Sequence, residues 1–143
     1  LIHYAGCCDP LPGEPVVGYI SRGRGVIVHA ADCPNLIGLE PERLMTVTWD
    51  GADQKPYPGK IRILCRNKKG VLAAISSLLA DEDVNIDAGA IHSSVDGNAE
   101  LVFTVEVRDS AHLYRAIDKI RRLDFVHEVT RVTSGQTARR PGP

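Results

Sequence analysis

From Ile61 to Val132 the apolar residues switch repeatedly between two periods, and that switching constrains the fold more than anything else in the chain. Ile61, Ile63 and Cys65 alternate with Arg62, Leu64 and Arg66, as in a strand. Past the turn Asn67-Lys68-Lys69-Gly70, residues Val71, Leu72, Ile75, Leu78 and Leu79 fall on one helical face. Val84, Ile86, Ala88 and Ala90 alternate again, Asp96-Gly97 supplies a hairpin turn, and Leu101, Phe103, Val105 and Val107 alternate beyond it. Asp109 or Ser110 caps a second helix with the apolar face Leu113, Ile117 and Ile120. Phe125 to Val132 reads as a last strand whose imperfect alternation suits a bulge. The order β-α-β-β-α-β predicts a ferredoxin-like sandwich. Its four-stranded antiparallel sheet carries both helices on one face and leaves the other to solvent or a partner. That topology hosts many functions and selects none.

The residues before it suggest a separate, smaller α+β module. Val16 to Ile20 and Val26 to His29 read as strands around the turn Ser21-Arg22-Gly23-Arg24-Gly25, a hairpin signal. Asp32 suits a helix cap, Pro34 suits a first helical turn, and Leu44 to Trp49 is a third strand candidate. Large apolar residues are few, so this core is thin. The expected division is a first module over 1–50, a Pro/Gly-rich linker over 51–59, the second module over 60–133 and a disordered polar tail over 134–143.

Cys7, Cys8, His29 and Cys33 stand at the spacing C-C-x20-H-x3-C. The strand and turn assignments bring them to one end of the hairpin. Thiolates and an imidazole suit tetrahedral Zn2+, and a closed four-ligand site is structural, supplying folding energy that a thin core lacks. Neighbouring side chains usually diverge, so Cys7, Cys8 or both are candidate ligands. The competing reading is reduced, buried cysteines beside a surface histidine. Cys65 lies on an apolar strand and reads as core.

Charge excludes a global electrostatic role. Lys plus Arg number 17 against 18 Asp plus Glu, so an RNA contact must be a local patch. Arg22 and Arg24, in a Gly-rich turn, are the candidates, because exposed guanidinium groups there approach phosphates closely. No apolar run approaches the length of a membrane helix, and the start Leu1-Ile2-His3-Tyr4 has no signal-peptide pattern. With no initiator Met, the chain is expected to be part of a longer cytoplasmic protein.

The run Cys7-Cys8-Asp9-Pro10-Leu11-Pro12-Gly13-Glu14-Pro15, continuing through Gly18-Tyr19-Ile20, Arg22-Gly23-Arg24-Gly25 and His29-Ala30-Ala31-Asp32-Cys33-Pro34-Asn35-Leu36, resembles the zinc-finger, or ribosome-intersubunit, domain of long RelA/SpoT homologues. The segment from Lys60 to Thr133 resembles their C-terminal ACT domain. The resemblance implies the regulatory end of a GTP diphosphokinase or (p)ppGpp hydrolase of the stringent response, with catalysis in N-terminal domains absent from this sequence. It implies ribosomal RNA or tRNA as partners of the first module, control of the catalytic half, self-association as a homodimer, and a small amino-acid effector such as valine or isoleucine at the ACT module. The effector turn of such modules corresponds here to Asn67, Lys68, Lys69, Gly70, Val71 and Leu72, with Ile91 beside it. Asn67 stands where an acidic residue is usual. Two readings compete with effector binding. One is a purely structural dimerisation module. The other is RNA recognition by the sheet, which the strand from Asn98 to Val107 disfavours with one aromatic and two acids.

Overall fold

The computed structural model describes residues 1–51 and 55–133, which divide into the units Leu1–Lys55 and Pro56–Val132. The expected tail over 134–143 and the linker positions 52–54 lie outside the described residues.

In the first unit, β1 (Ile2–Tyr4), β2 (Val16–Ser21), β3 (Gly25–Ala30) and β4 (Leu44–Thr46) form a sheet in the order β1-β3-β2-β4. The hairpin is the expected one, paired from Val16↔Ala30 to Ser21↔Gly25. β1 is an addition to the expected elements. Its three residues are exposed and show no alternation, and it forms by lying parallel to β3, with the Val26 N–H donating to the Leu1 carbonyl at 2.9 Å. Gly25 (φ +83°) is required there twice over, because a side chain would run into the Leu1 carbonyl and the left-handed backbone disfavours one anyway.

Two expected elements are shorter than the sequence suggests. β4 ends at Thr46, and Trp49 leaves the sheet to stack on Tyr4, with 5.6 Å between centroids, and to donate to the Glu14 carbonyl at 2.9 Å. The expected helix is a single 3-10 turn, Pro34–Leu36, entered from Cys33 rather than capped by Asp32. None of its residues is buried, so nothing favours extending it. The apolar core is thin, as anticipated: Ala5, Cys8, Leu11, Val28 and Cys33 are the buried apolar residues of Leu1–Lys55 among those described.

The second unit runs β5 (Tyr57–Arg66), α1 (Val71–Asp81), β6 (Asn85–Ser93), β7 (Asn98–Val107), α2 (Ser110–Arg121) and β8 (Val126–Val132). Its sheet has the order β6-β7-β5-β8 with every pair antiparallel, the ferredoxin-like arrangement. Tyr57, Ile61, Ile63 and Cys65 of β5 and Leu101, Phe103, Val105 and Val107 of β7 point inward. The helices supply Ile75 and Leu79, then Leu113, Ile117 and Ile120, to the same core. Asp109 is the cap of α2, its carboxylate accepting from the His112 N–H at 2.8 Å. The buried His112 ring accepts from the Arg108 N–H at Nδ1 (3.0 Å). Its Nε2 must then be the donor to the Glu82 carbonyl (2.7 Å), which ties the start of α2 to the end of α1.

One boundary departs from expectation. β5 begins at Tyr57, so the last residues of the expected 51–59 linker are paired, Tyr57↔Val107 through Gly59↔Val105. Pro58 is tolerated because β8 pairs only from Lys60, leaving β7 as its one neighbour. Opposite the last strand the register shifts between Leu64 and Cys65, the irregularity expected from its imperfect alternation, and an unforeseen second shift falls between Ile86 and Ala88 in β6. The uncovered sheet face carries Lys60, the Arg62–Glu100 ion pair, Thr104 and Glu106, with Leu64 and Val102 half-buried among them. Among the described residues no helix is long and apolar enough to cross a membrane.

Candidate functional site

The four predicted ligands converge. The turn after β1 folds back so that the Asp9 N–H donates to the Ala5 carbonyl at 3.0 Å, and Asp9 itself takes φ 43°. Cys7 and Cys8 therefore sit on a tight bend, where neighbouring side chains need not diverge. His29 comes from β3 and Cys33 from the entrance to the 3-10 turn, where its N–H donates to the Ala30 carbonyl. All four donor atoms lie within 4.8 Å of one another.

Four of their six separations can be set against those of a coordination shell. A tetrahedral centre with bonds of about 2.3 Å to sulfur and about 2.05 Å to nitrogen places neighbouring sulfurs about 3.8 Å apart and sulfur about 3.6 Å from nitrogen. Cys7 Sγ lies 3.9 Å from Cys8 Sγ and 3.5 Å from Cys33 Sγ, while His29 Nδ1 lies 3.6 Å from Cys7 Sγ and 3.8 Å from Cys8 Sγ. Both adjacent cysteines fit the shell. The Ala30 N–H donates to Cys8 Sγ at 3.2 Å, an interaction that favours a thiolate and that residue spacing gave no means of finding. Left to themselves Cys8, His29 and Cys33 favour their neutral forms. Burial raises the Cys8 thiol far above its ordinary 9.0, with Cys7 and Cys33 adding to it. Burial also raises Cys33 and lowers His29. A cation in their midst reverses the preference, so the cluster can hold a metal ion.

The other predicted residues lie apart from this cluster. Arg22 and Arg24 are exposed on the β2–β3 turn, which closes with the Arg24 N–H donating to the Ser21 carbonyl at 3.4 Å. In the second unit, the turn from Asn67 to Gly70 is exposed. Asn67 Nδ2 donates to Ser93 Oγ at 3.2 Å, and the Lys68 ammonium stands 5.6 Å from the Phe125 ring centroid. Gly70 (φ 90°) precedes α1 without a side-chain cap, so no side chain of its own competes for the first-turn N–H groups. Val71 is core, whereas Leu72 and Ile91 are 42% and 49% exposed, so these three do not close an apolar pocket within one chain. The uncovered sheet face has no Phe, Tyr or Trp among its described residues, since Tyr57 and Phe103 are buried, which removes base stacking there. Cys65 is fully buried.

Residues 53–131 match the ACT domain family, and residues 1–50 match the RelA/SpoT RIS domain. The chain is 37% identical over 142 residues to the GTP pyrophosphokinase of Streptomyces coelicolor, covering 98% of this chain and 16% of that protein. It is 35% identical over 136 residues to the bifunctional (p)ppGpp synthase/hydrolase RelA of Mycobacterium tuberculosis, covering 94% of this chain and 18% of the other. The crystal structure of the ACT domain from the GTP pyrophosphokinase of Chlorobium tepidum aligns with a TM-score of 0.48 at 25% identity, over 54% of this chain and 99% of that one. The chain thus spans less than a fifth of these curated relatives.

Proposed function

This chain belongs to the ACT-domain family and carries a RelA/SpoT RIS domain ahead of its ACT domain, and from that premise we propose that it is the regulatory C-terminal region of a cytoplasmic (p)ppGpp synthetase/hydrolase of the stringent response. On this reading the chain makes and breaks no bonds. It senses the state of the ribosome and of tRNA and controls catalytic domains elsewhere in the parent chain. The observation that carries the proposal is the succession of the two matched modules, which together occupy nearly the whole chain and align with a small part of much longer relatives named as GTP pyrophosphokinases.

The first unit is proposed to hold one Zn2+ through Cys7, Cys8, His29 and Cys33, since three soft thiolates and an imidazole at tetrahedral spacing suit that ion. The ion would cross-link the turn after β1, the end of β3 and the 3-10 turn. The hairpin so anchored presents Arg22 and Arg24 to phosphates of ribosomal RNA or tRNA. With 17 basic against 18 acidic residues in the chain, only a few phosphate contacts and a modest salt slope are expected. Replacing both arginines by alanine in the parent protein is expected to reduce co-sedimentation with ribosomes about tenfold. Unchanged co-sedimentation would remove the hairpin from the interface.

The second unit is proposed to bind a small branched amino acid at the Asn67–Leu72 turn. The carboxylate would meet the first-turn N–H groups of α1, and the ammonium the amide oxygen of Asn67. Leu72 and Ile91, exposed on one chain, would be covered by the ligand and by a second subunit of a homodimer. Without a carboxylate at Asn67 the affinity is expected to be about high micromolar to millimolar. Titrating valine, isoleucine and lysine into the chain should move the amide NMR signals of Lys68 to Leu72 for the branched residues and not for lysine. Silence for all three at tens of millimolar would leave the unit a structural dimerisation module.

A further inference from the structure

The first unit contains a second concavity, which adjoins the cysteine cluster and shares His29 with it. His3, Ile27 and Tyr19 are register partners across β1, β3 and β2 and so share one sheet face. Together with Ser21, Arg24 and Asn35 they line an open cavity of about 340 Å³. That volume is at the small end of ligand sites, roughly 300–1,000 Å³. No carboxylate lines it. Arg24 is its one guanidinium and makes no ion pair with a described residue, whereas its neighbour Arg22 is not part of the lining. Tyr19 is fixed from outside the cavity. The Arg43 guanidinium lies 5.7 Å from its ring centroid, and Arg43 Nε donates to the Ile20 carbonyl at 2.7 Å. His29 is common to both sites, lining the cavity while its Nδ1 faces the thiols.

An aromatic wall, a guanidinium with no ion pair among the described residues, hydrogen-bonding side chains that include Ser21 and Asn35, and no acid together suit a ligand with a flat polar ring and a negative charge. We propose that this cavity takes one phosphorylated nucleoside, an unpaired nucleotide of an RNA strand, with its phosphate on Arg24 and its base against Tyr19. The assignment rests on the RNA reading of the hairpin and sharpens it. Arg24 and Arg22, both exposed, do different work, Arg24 lining the open cavity and Arg22 lying outside its lining.

The test titrates the full chain with AMP, with GMP and with a single-stranded oligoribonucleotide of about eight residues, following NMR signals of His3, Tyr19 and Asn35. Saturable shifts of these signals are expected with the oligonucleotide. Arg24→Gln, on an exposed turn where the fold does not depend on it, should weaken binding about tenfold, and Arg22→Gln no more than about twofold. Shifts with the oligonucleotide and not the mononucleotides support a strand-borne ligand. Equal binding of the mononucleotides keeps the nucleotide class and assigns the cavity to free nucleotides. Silent lining signals with every probe, or equal losses from the two arginine variants, overturn the cavity assignment. If ribosome co-sedimentation still falls in the double alanine variant while the cavity is silent, the surface reading stands alone. If the cavity responds and co-sedimentation is unchanged, it is the ribosomal reading that fails.

Discussion

Removing the proposed Zn2+ from the first unit is expected to unfold it while the second unit stays folded. Structural Zn2+ contributes about 10–16 kcal/mol in small zinc modules, whereas a unit of roughly 55 residues has a net stability of only about 3–8 kcal/mol. The buried apolar residues of this unit include two of the candidate ligands themselves, Cys8 and Cys33. Without an ion, those thiols contribute little beyond their small hydrophobic area. Chelation should collapse the amide dispersion of the first unit and leave that of Pro56–Val132, whose core contains no ligand of the cluster. Cys7→Ser, Cys8→Ser and Cys33→Ser should each lose the metal in elemental analysis, whereas Cys65→Ser, buried in the other unit, should keep one equivalent. The pH dependence has a definite sign. Burial holds the Cys8 and Cys33 thiols above their ordinary value, so metal binding must displace their protons, and affinity falls as the solution is acidified. A first unit that keeps its full dispersion after chelation would show that the four side chains are packing partners and nothing more.

The second large effect belongs to the sandwich core. Ile117→Ala is expected to cost about 2–5 kcal/mol, because Ile117 is fully buried on α2, beneath the sheet, and its truncation leaves a cavity in the core. For a unit of roughly 80 residues the whole stability is about 4–12 kcal/mol, so the variant should melt many degrees lower. Tyr114→Ala, three residues earlier on the exposed side of the same helix (42% exposed), should cost less than half as much. Equal losses in thermal unfolding would mean that α2 is not seated on the sheet as described.

How much of this was legible in the sequence differs between the two units for a physical reason. In the second unit burial is decided along each element. β7 alternates buried and half-buried residues without a break from Asn98 to Val107, and Asp109 caps α2 with its own side chain. Local pattern and tertiary structure therefore agree. In the first unit the deciding contacts are distant in sequence. β1 exists because β3 offers it an edge, Trp49 leaves β4 because Tyr4 and the Glu14 carbonyl take it, and the 3-10 turn stops for want of an apolar face. The cysteine and histidine spacing picked out four side chains that the structure brings together, but adjacency left open whether Cys7, Cys8 or both join the cluster, and it is the bend at Asp9 that gathers both. The cavity beside them has no motif at all. It follows from strand register, which sets His3, Ile27 and Tyr19 in one row.

The strand order of the second unit also sets a timetable. β5 lies at the middle of the sheet and is the first of its strands to be synthesised, yet its neighbours β7 and β8 come last. Ile63 meets Leu101 on one side and Val129 on the other, the latter about 65 residues later in the chain. At about 5–20 residues per second that delay is about 3–13 s. Until β7 follows, about 40 residues behind, the apolar strand has two bare edges, and from then until β8 arrives it has one. The charges that alternate along it, Lys60, Arg62 and Arg66, then serve the nascent chain as much as the finished one, since they make a row of strand-forming residues a poor template for its own kind.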